Sequence, residues 1–159
     1  MEETSCWKGM MAIACCRYGT VGLREDGIVV SCGFQKAVAD ELASWTEITS
    51  IACGKEHIVG LRRDGTVVAC GENSNGQCDV GSFRNVGMIS ASVQCTGLIL
   101  NDGTVKALGK FNDKGLSFPN TVAAACFNFG AIITLDQDGV LHGDISGADM
   151  AGFGKDPEW

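Results

Sequence analysis

Residues 58–70 read Ile58-Val-Gly-Leu61, then Arg62-Arg-Asp-Gly65, then Thr66-Val-Val-Ala-Cys70. Two short runs rich in β-branched residues flank an Asp-Gly dipeptide, which is a strong sequence signal for a β-hairpin. Glycine favours such a connection because it accepts the positive φ that a tight turn requires. The stretch therefore predicts two antiparallel strands joined at Asp64-Gly65.

The Asp-Gly dipeptide recurs along the chain at a nearly constant interval. The spacings are 38, 38 and 36 residues, starting from Asp26, Asp64, Asp102 and Asp138. Aromatic residues keep the same interval of 38 at Trp7, Trp45 and Phe83. Two independent markers thus indicate one repeating unit of about 38 residues, and a period of this length is typical of repeat proteins.

Apolar residues occupy equivalent positions in the four copies. Three residues before each Asp stand Leu23, Leu61, Ile99 and Leu135, and three after it stand Val29, Val67, Val105 and Leu141. Thirteen residues before it stand Ile13, Ile51, Ile89 and Ala125. The sequence predicts a single repeat domain over residues 1–159, with repeats at about 7–44, 45–82, 83–118 and 119–159.

The second repeat indicates the structure of the unit. Beyond the hairpin it predicts one strand over residues 48–52 and a short fourth strand over residues 77–80. Four short antiparallel strands in about 38 residues are typical of a propeller blade. Only residues 36–44 have a weak helical period, which predicts a helical turn within a loop. The predicted fold class is all-β, with about four tandem propeller blades that are each a small antiparallel sheet.

The second repeat also resembles a known family. Residues 51–77 read Ile51-Ala-Cys-Gly-Lys-Glu-His-Ile-Val-Gly-Leu-Arg-Arg-Asp-Gly-Thr-Val-Val-Ala-Cys-Gly-Glu-Asn-Ser-Asn-Gly-Gln77 and are similar to a repeat of the regulator of chromosome condensation family. That superfamily includes the bacterial propeller that inhibits β-lactamases. The resemblance is specific in the second repeat, clear in the first and partial in the third and fourth.

The resemblance leaves the closure of the propeller open, because propellers of this family typically have seven blades. Four blades could close alone, two chains could form one ring of eight, or the sequence could be part of a longer chain. We favour self-association, as a dimer that closes a ring, because an open array leaves the outer blades with unpaired edges and half an interface each.

The resemblance also implies a candidate recognition surface. In the family, the turn after the Ile-Ala-x-Gly strand lies on one face near the central axis. The corresponding residues here are Arg17, Tyr18, Lys55, Glu56, His57, Gln94, Cys95, Asn128 and Phe129. They differ between copies while the flanking core positions agree, which is typical of loops that bind on a rigid scaffold. The alternative is that repeats diverge most where packing is weakest; for His57, a turn-stabilising hydrogen bond is favoured over catalysis.

Composition and residue patterns disfavour several classes of function. The net charge of −7 disfavours nucleic acid polymers and anionic membranes as partners, and no apolar run approaches the roughly 18 residues needed to span a bilayer. The nine cysteines, an odd number, favour a reducing cytoplasmic location. Since no nucleophile–base pair, acidic dyad or cluster of metal ligands recurs, we expect no enzyme, no cofactor and no metal site.

The sequence therefore predicts a non-enzymatic protein that holds a partner protein on one face of a propeller. The alternative is a small-ligand binder that sequesters a nucleotide-like or other anionic metabolite. That alternative depends on a basic cluster, and Arg is suited to bidentate contact with phosphate or carboxylate; the cluster comprises Arg17, Arg24, Lys55, Arg62 and Arg63. Guanine-nucleotide exchange, known in the name-giving family member, is a weaker third hypothesis.

Overall fold

The computed structural model of the chain describes residues 7–110, 120–126 and 132–144. The strands are β1 (Met10–Cys15), β2 (Thr20–Arg24), β3 (Val29–Cys32), β4 (Ile48–Cys53), β5 (His57–Arg62), β6 (Val67–Gly71), β7 (Val86–Ser92), β8 (Cys95–Leu100), β9 (Val105–Gly109), β10 (Thr121–Cys126), β11 (Ile132–Asp136) and β12 (Leu141–Asp144). One helix, α1 (Lys36–Ala43), connects β3 to β4.

Each repeat folds into its own antiparallel sheet of three consecutive strands. The sheets are β1-β2-β3, β4-β5-β6, β7-β8-β9 and β10-β11-β12, and we number them blades 1 to 4. The first strands of successive blades contact one another, so the blades follow each other side by side in chain order. The prediction of all-β propeller blades in about four tandem copies is confirmed.

The Asp-Gly turns have the geometry that the sequence predicts. In blade 2 the Gly65 amide donates to the Arg62 carbonyl at 3.0 Å, and Gly65 has a φ of 78°. The Asp64 carboxylate accepts the amide and the hydroxyl of Thr66 at 2.9 and 2.7 Å. The glycines of the other three turns, Gly27, Gly103 and Gly139, have φ values of 80°, 83° and 81°. Four equivalent turns therefore set the register of the second and third strands in each blade.

A second positive φ recurs just before the first strand of each blade. Its residues have φ values of 66°, 57°, 58° and 62° and are Gly9, Glu47, Asn85 and Asn120. Each carbonyl accepts the amide of the residue before the Asp-Gly turn of its blade, at 2.8 to 3.1 Å. This bond pins the entry of the blade to its hairpin. Glutamate in this conformation is strained, since a side chain in the left-handed region costs about 1–2 kcal/mol.

The core consists of apolar layers between neighbouring blades. Between blades 1 and 2, Val21, Leu23 and Val29 pack against Ile58 and Cys70. An equivalent layer lies between blades 2 and 3, with the buried residues Val59, Leu61, Val67, Val80, Val86 and Leu98. Side chains of one strand alternate between two such layers, as the two-residue period of a strand requires.

Three details correct the sequence analysis. Residues 77–80 form turns instead of a fourth strand, so the blades have three strands in the residues that the structure describes. Residues 36–43 form a complete α-helix, and its fully buried Leu42 belongs to the layer between blades 1 and 2. In blade 4, Ala124 pairs with Thr134 as Ile51 pairs with Gly60, so the equivalent of Ile51 is Ala124 and not Ala125.

Within the described part of the chain, no helix has both the length and the apolar character that a bilayer crossing needs.

Candidate partner-binding face

The turns between the first and second strands lie on the face of the array opposite to the Asp-Gly hairpins. In blades 1 to 3 these turns comprise residues 16–19, 54–56 and 93–94, which we name the turn face. Backbone hydrogen bonds join blades 1 and 2 on the turn face and also beside the Asp-Gly hairpins. The Arg17 amide donates to the Lys55 carbonyl at 2.9 Å on the turn face, and the Ile48 amide donates to Gly27 at 3.1 Å on the hairpin side.

Charged side chains of two blades meet on the turn face. Arg17 Nη1 lies 2.7 Å from Glu56 Oε1, and Lys55 Nζ lies 3.6 Å from the same oxygen. The hydrogen bond from Arg17 is the main cause that lowers the pKa of Glu56, with a further contribution from the Lys55 charge. Glu56 therefore stays ionised and neutralises part of the positive charge of both neighbours.

Tyr18 is the aromatic residue of the turn face. Its side chain is 54% exposed, and the Arg17 guanidinium lies 5.6 Å from the centre of its ring, within the range of a cation–π contact. Because Arg17 is held by both Tyr18 and Glu56, the three side chains form one pre-organised group. An exposed tyrosine next to an ordered arginine is the composition that binding hot spots favour.

Glycines at the ends of the third strands keep the backbone of the turn face in place. Gly71 has a φ of 108°, and a side chain there would collide with the Glu56 carbonyl. Gly109 stands in the same relation to the carbonyl of Gln94, a half-buried residue of the third turn. That carbonyl accepts the Lys110 amide at 3.1 Å. The scaffold beneath the turns is therefore uniform while their side chains differ.

His57 does not belong to the accessible surface. Its side chain is 0% exposed, and its Nε2 lies 3.0 Å from Thr96 Oγ1 in blade 3. The Thr96 hydroxyl donates its one hydrogen to the Gln77 carbonyl at 2.7 Å, so it accepts from His57 Nε2–H. Burial lowers the pKa of His57 and keeps the ring neutral. A fully buried side chain cannot contact a partner, and its hydrogen bond joins two blades instead of stabilising its own turn.

Cys95 is also buried, so like His57 it is not part of the accessible surface. Asn128 and Phe129 lie outside the described residues, although the strands on both sides of them are described. Five residues of the sequence separate the paired Cys126 and Ile132, whereas four separate the paired Cys53 and Ile58.

The five basic residues of the predicted anion site do not share a face. Arg17 and Lys55 belong to the turn face, whereas Arg24, Arg62 and Arg63 lie at the hairpin end of β2 and β5. The five residues of β2 separate the two ends by about 13 Å, at about 3.3 Å per residue. Arg24 is further paired with Asp26 at 2.6 Å. The cluster that motivated a small anionic ligand therefore divides into two separate groups.

Two cysteines of blade 2 pack as small apolar residues. Cys70 is buried in the layer between blades 1 and 2, and Cys53 packs against the same layer. Burial raises the pKa of each of these two thiols to about 12, so neither forms the reactive thiolate at neutral pH. In the described ranges, no group of three or more His, Cys, Asp or Glu residues converges as metal ligands would.

Four small antiparallel sheets in tandem, joined side by side through apolar layers, define the class of β-propeller repeat proteins. By sequence, residues 48–77 match the regulator of chromosome condensation (RCC1) repeat. This match covers the second repeat, where the resemblance is most specific. The second repeat is therefore an RCC1-like repeat. A comparison with curated protein sequences gives no match.

Solved structures support the same fold. The chain is similar to Prp20p from Saccharomyces cerevisiae, with 15% identity, a TM-score of 0.65, and coverage of 87% of this chain and 46% of that one. Human WBSCR16 gives 18% identity, a TM-score of 0.65, and coverage of 84% and 46%. The CRINKLY ectodomain of the Arabidopsis thaliana receptor kinase ACR4 gives 13% identity, a TM-score of 0.62, and coverage of 85% and 48%. The chain spans about half the length of each of these proteins.

Proposed function

We propose that this chain is a non-enzymatic binding protein that holds a partner protein on its turn face. The observation that carries the proposal is the group formed by Tyr18, Arg17 and Glu56, in which Arg17 contacts the exposed Tyr18 ring of its own blade and the Glu56 carboxylate of the next blade. Ordering before binding lowers the entropy that association must overcome. Such a group can therefore contribute much of the affinity for a protein surface.

The nature of the solved relatives supports a protein partner. Prp20p is described with binding properties toward Gsp1p and histones, and yeast RCC1 (Prp20) is described bound to Kap60. Those partners are properties of those proteins. What we infer for this chain is the kind of partner, because a broad end of a blade array fits a protein surface better than a small molecule.

The pairing of charges argues against the small anionic ligand as the function. Both cations of the turn face contact the Glu56 carboxylate, so an incoming phosphate would have to displace or repel it. A protein partner does not meet this obstacle, since a surface with both signs of charge can match a complementary pattern. We therefore favour a partner protein over a small anionic ligand.

The experiment compares a variant of the turn face with a variant beside the Asp-Gly hairpins. Immobilised chain would capture partners from a lysate of the source cells, and mass spectrometry would quantify each captured protein. The double variant Tyr18→Ala, Lys55→Ala removes two side chains from the turn face; the matched control Ile28→Ala, Arg62→Ala removes an exposed apolar residue and a cation from the hairpin end. A partner of the turn face is lost from the first and retained by the second.

The affinity of the purified partner then provides the quantitative test. We expect the turn-face variant to weaken binding by at least about tenfold, which corresponds to about 1.4 kcal/mol, and the control to change it by less than about twofold. Equal losses in both variants, or no loss in either, would count against the turn face. Stabilisation of the free chain by nucleotides in a thermal-shift assay would instead favour the small anionic ligand.

A further inference from the structure

The two ends of the blade array carry the two halves of one interface. We name the side of a blade that faces the preceding blade its leading side, and the opposite side its trailing side. In the layer between blades 1 and 2, the trailing residues Leu23 and Val29 pack against the leading residues Ile48 and Ile58. Blade 1 has no preceding blade and blade 4 no following blade among the described residues, so one leading and one trailing side lack their counterpart there.

The exposure of equivalent residues shows how open these two sides are. Ile13 on the leading side of blade 1 is 68% exposed, whereas its equivalent Ile51 packs into the layer between blades 1 and 2. Leu141 on the trailing side of blade 4 is also 68% exposed, whereas its equivalent Val67 is 4% exposed. These two positions, which pack into layers inside the array, are therefore apolar and accessible on its first and last blades.

The backbone gives the same result at the corner beside the hairpins. Inside the array the Gly27 carbonyl accepts the Ile48 amide at 3.1 Å, and a side chain at Gly27 would lie 3.2 Å from that amide nitrogen. The equivalent of Gly27 in blade 4 is Gly139, which would meet nothing within 4 Å. Gly9, the blade 1 equivalent of the residue that packs on Gly27, would also meet nothing within 4 Å.

We propose that two copies of this chain associate head to tail and close one ring of eight blades. The trailing side of blade 4 in each copy packs on the leading side of blade 1 in the other, with the Gly139 corner of one copy against Gly9 of its partner. The occupant is a second copy because the chain already forms this interface between its own blades and carries both halves of it. Eight blades lie within the range of known propellers, and a head-to-tail interface produces a closed ring when its rotation closes.

The assembly goes beyond the proposed function, because the leading side of blade 1 and the trailing side of blade 4 do not include the turn face. The first measurement is the solution mass of the 159-residue chain by light scattering after size exclusion. A closed dimer has twice the chain mass of 16.7 kDa. A mass of one chain would overturn the proposal. The leading side of blade 1 and the trailing side of blade 4 would then pack against blades of a different chain. Masses that grow with concentration beyond the dimer would overturn ring closure in favour of open polymers.

Two variants then identify the surfaces. Ile13→Asp places a charge on the leading side of blade 1, and Leu141→Asp places one on the trailing side of blade 4. Since each ring uses both sides of both copies, each variant alone is expected to weaken the dimer by about 100-fold or more, because a charge would be buried without a partner. Ile28→Asp, at an exposed residue outside both sides, should leave the mass unchanged.

A mixture of the two variants separates head-to-tail association from other modes. The leading side of the Leu141→Asp chain and the trailing side of the Ile13→Asp chain are both unaltered, so an equimolar mixture regains one native interface and forms a heterodimer. If the copies met through two identical sides, only one variant would dissociate the dimer and mixing would restore nothing. Circular dichroism of each variant shows that it is folded; failure of the mixture of folded variants to associate would overturn the proposal.

Discussion

Replacing Thr96 with Val would test the buried polar contact between blades 2 and 3. Thr96 is 0% exposed, and its hydroxyl connects the His57 ring to the Gln77 carbonyl over distances of 3.0 and 2.7 Å. Valine has nearly the same shape, so the substitution removes the hydroxyl and leaves the packing almost unchanged. The measured effect therefore reports on hydrogen bonding and not on a cavity.

The structure gives the size of the expected effect. Without the hydroxyl, the His57 N–H and the Gln77 carbonyl both lose a buried partner, and an unsatisfied buried polar group costs about 1–3 kcal/mol. We expect the free energy of unfolding to fall by about 2–6 kcal/mol for the two groups together. At about 2–4 °C per kcal/mol for a chain of this size, the melting temperature falls by about 4–24 °C.

Thermal and urea unfolding followed by circular dichroism measure this loss. The matched control is Thr49→Val, because the Thr49 hydroxyl donates to the Leu61 carbonyl at 3.2 Å from an exposed side chain, where water can replace it. The control should lose less than about 0.5 kcal/mol. The reasoning is refuted if Thr96→Val loses no more than the control. A His57→Ala, Thr96→Val double variant should lose less than the sum of its single variants, since both remove one contact.

Three further predictions concern strain, pH and thiol reactivity. Glu47→Gly should raise the free energy of unfolding by about 1 kcal/mol, because it relieves the left-handed backbone, whereas Glu41→Gly inside α1 should lower it by about as much; urea unfolding that shows the same sign for both would contradict this explanation. Because burial lowers the pKa of His57 in the folded chain, the unfolded state binds more protons as the pH falls below 6.5. Stability should therefore decline from pH 6.5 downward more steeply in the wild type than in His57→Gln. In labelling with iodoacetamide at pH 7.5, the exposed Cys15 should react well before the buried Cys70, and equal rates would mean that the layer between blades 1 and 2 opens.

The hairpins could be predicted because their signals are local. The Asp-Gly dipeptide, the β-branched residues beside it and the positive φ that glycine accepts all lie within a few residues of each turn. The structure confirms these turns at all four places. The left-handed position before the first strand is not predicted from the sequence, because its four occupants are not all of one residue type. Gly9, Asn85 and Asn120 favour that conformation and are the available signal, while Glu47 at the equivalent position conceals it.

The remaining errors come from contacts that are distant in sequence. Residues 77–80 have apolar members, yet Gln77 is buried as the acceptor of the Asn75 amide at 3.0 Å, which a turn satisfies and a strand does not. The repeats predict His57 to lie in an exposed turn, whereas it is the first residue of β5, is buried, and forms a hydrogen bond with Thr96, which lies 39 residues away. The turn face itself could be located from the repeats. The contact of Arg17 with Glu56 also spans 39 residues, so it depends on the packing of neighbouring blades and no local sequence signal predicts it.

Paired changes explain why the third repeat diverges in sequence and keeps the fold. In blades 1 and 2 a tryptophan ring lies against a glycine of the middle strand; a side chain at Gly22 would meet Trp7 at 2.9 Å, and one at Gly60 would meet Trp45 at 2.8 Å.

In blade 3 the smaller ring of Phe83 accompanies Leu98 at the glycine position, and both belong to the layer between blades 2 and 3. A smaller ring and a larger strand residue together fill a similar volume, which a close-packed core requires. Because such pairs preserve the spacing of the blades, the turns above them can change their side chains freely, and a face that recognises a partner can arise on them without loss of the fold.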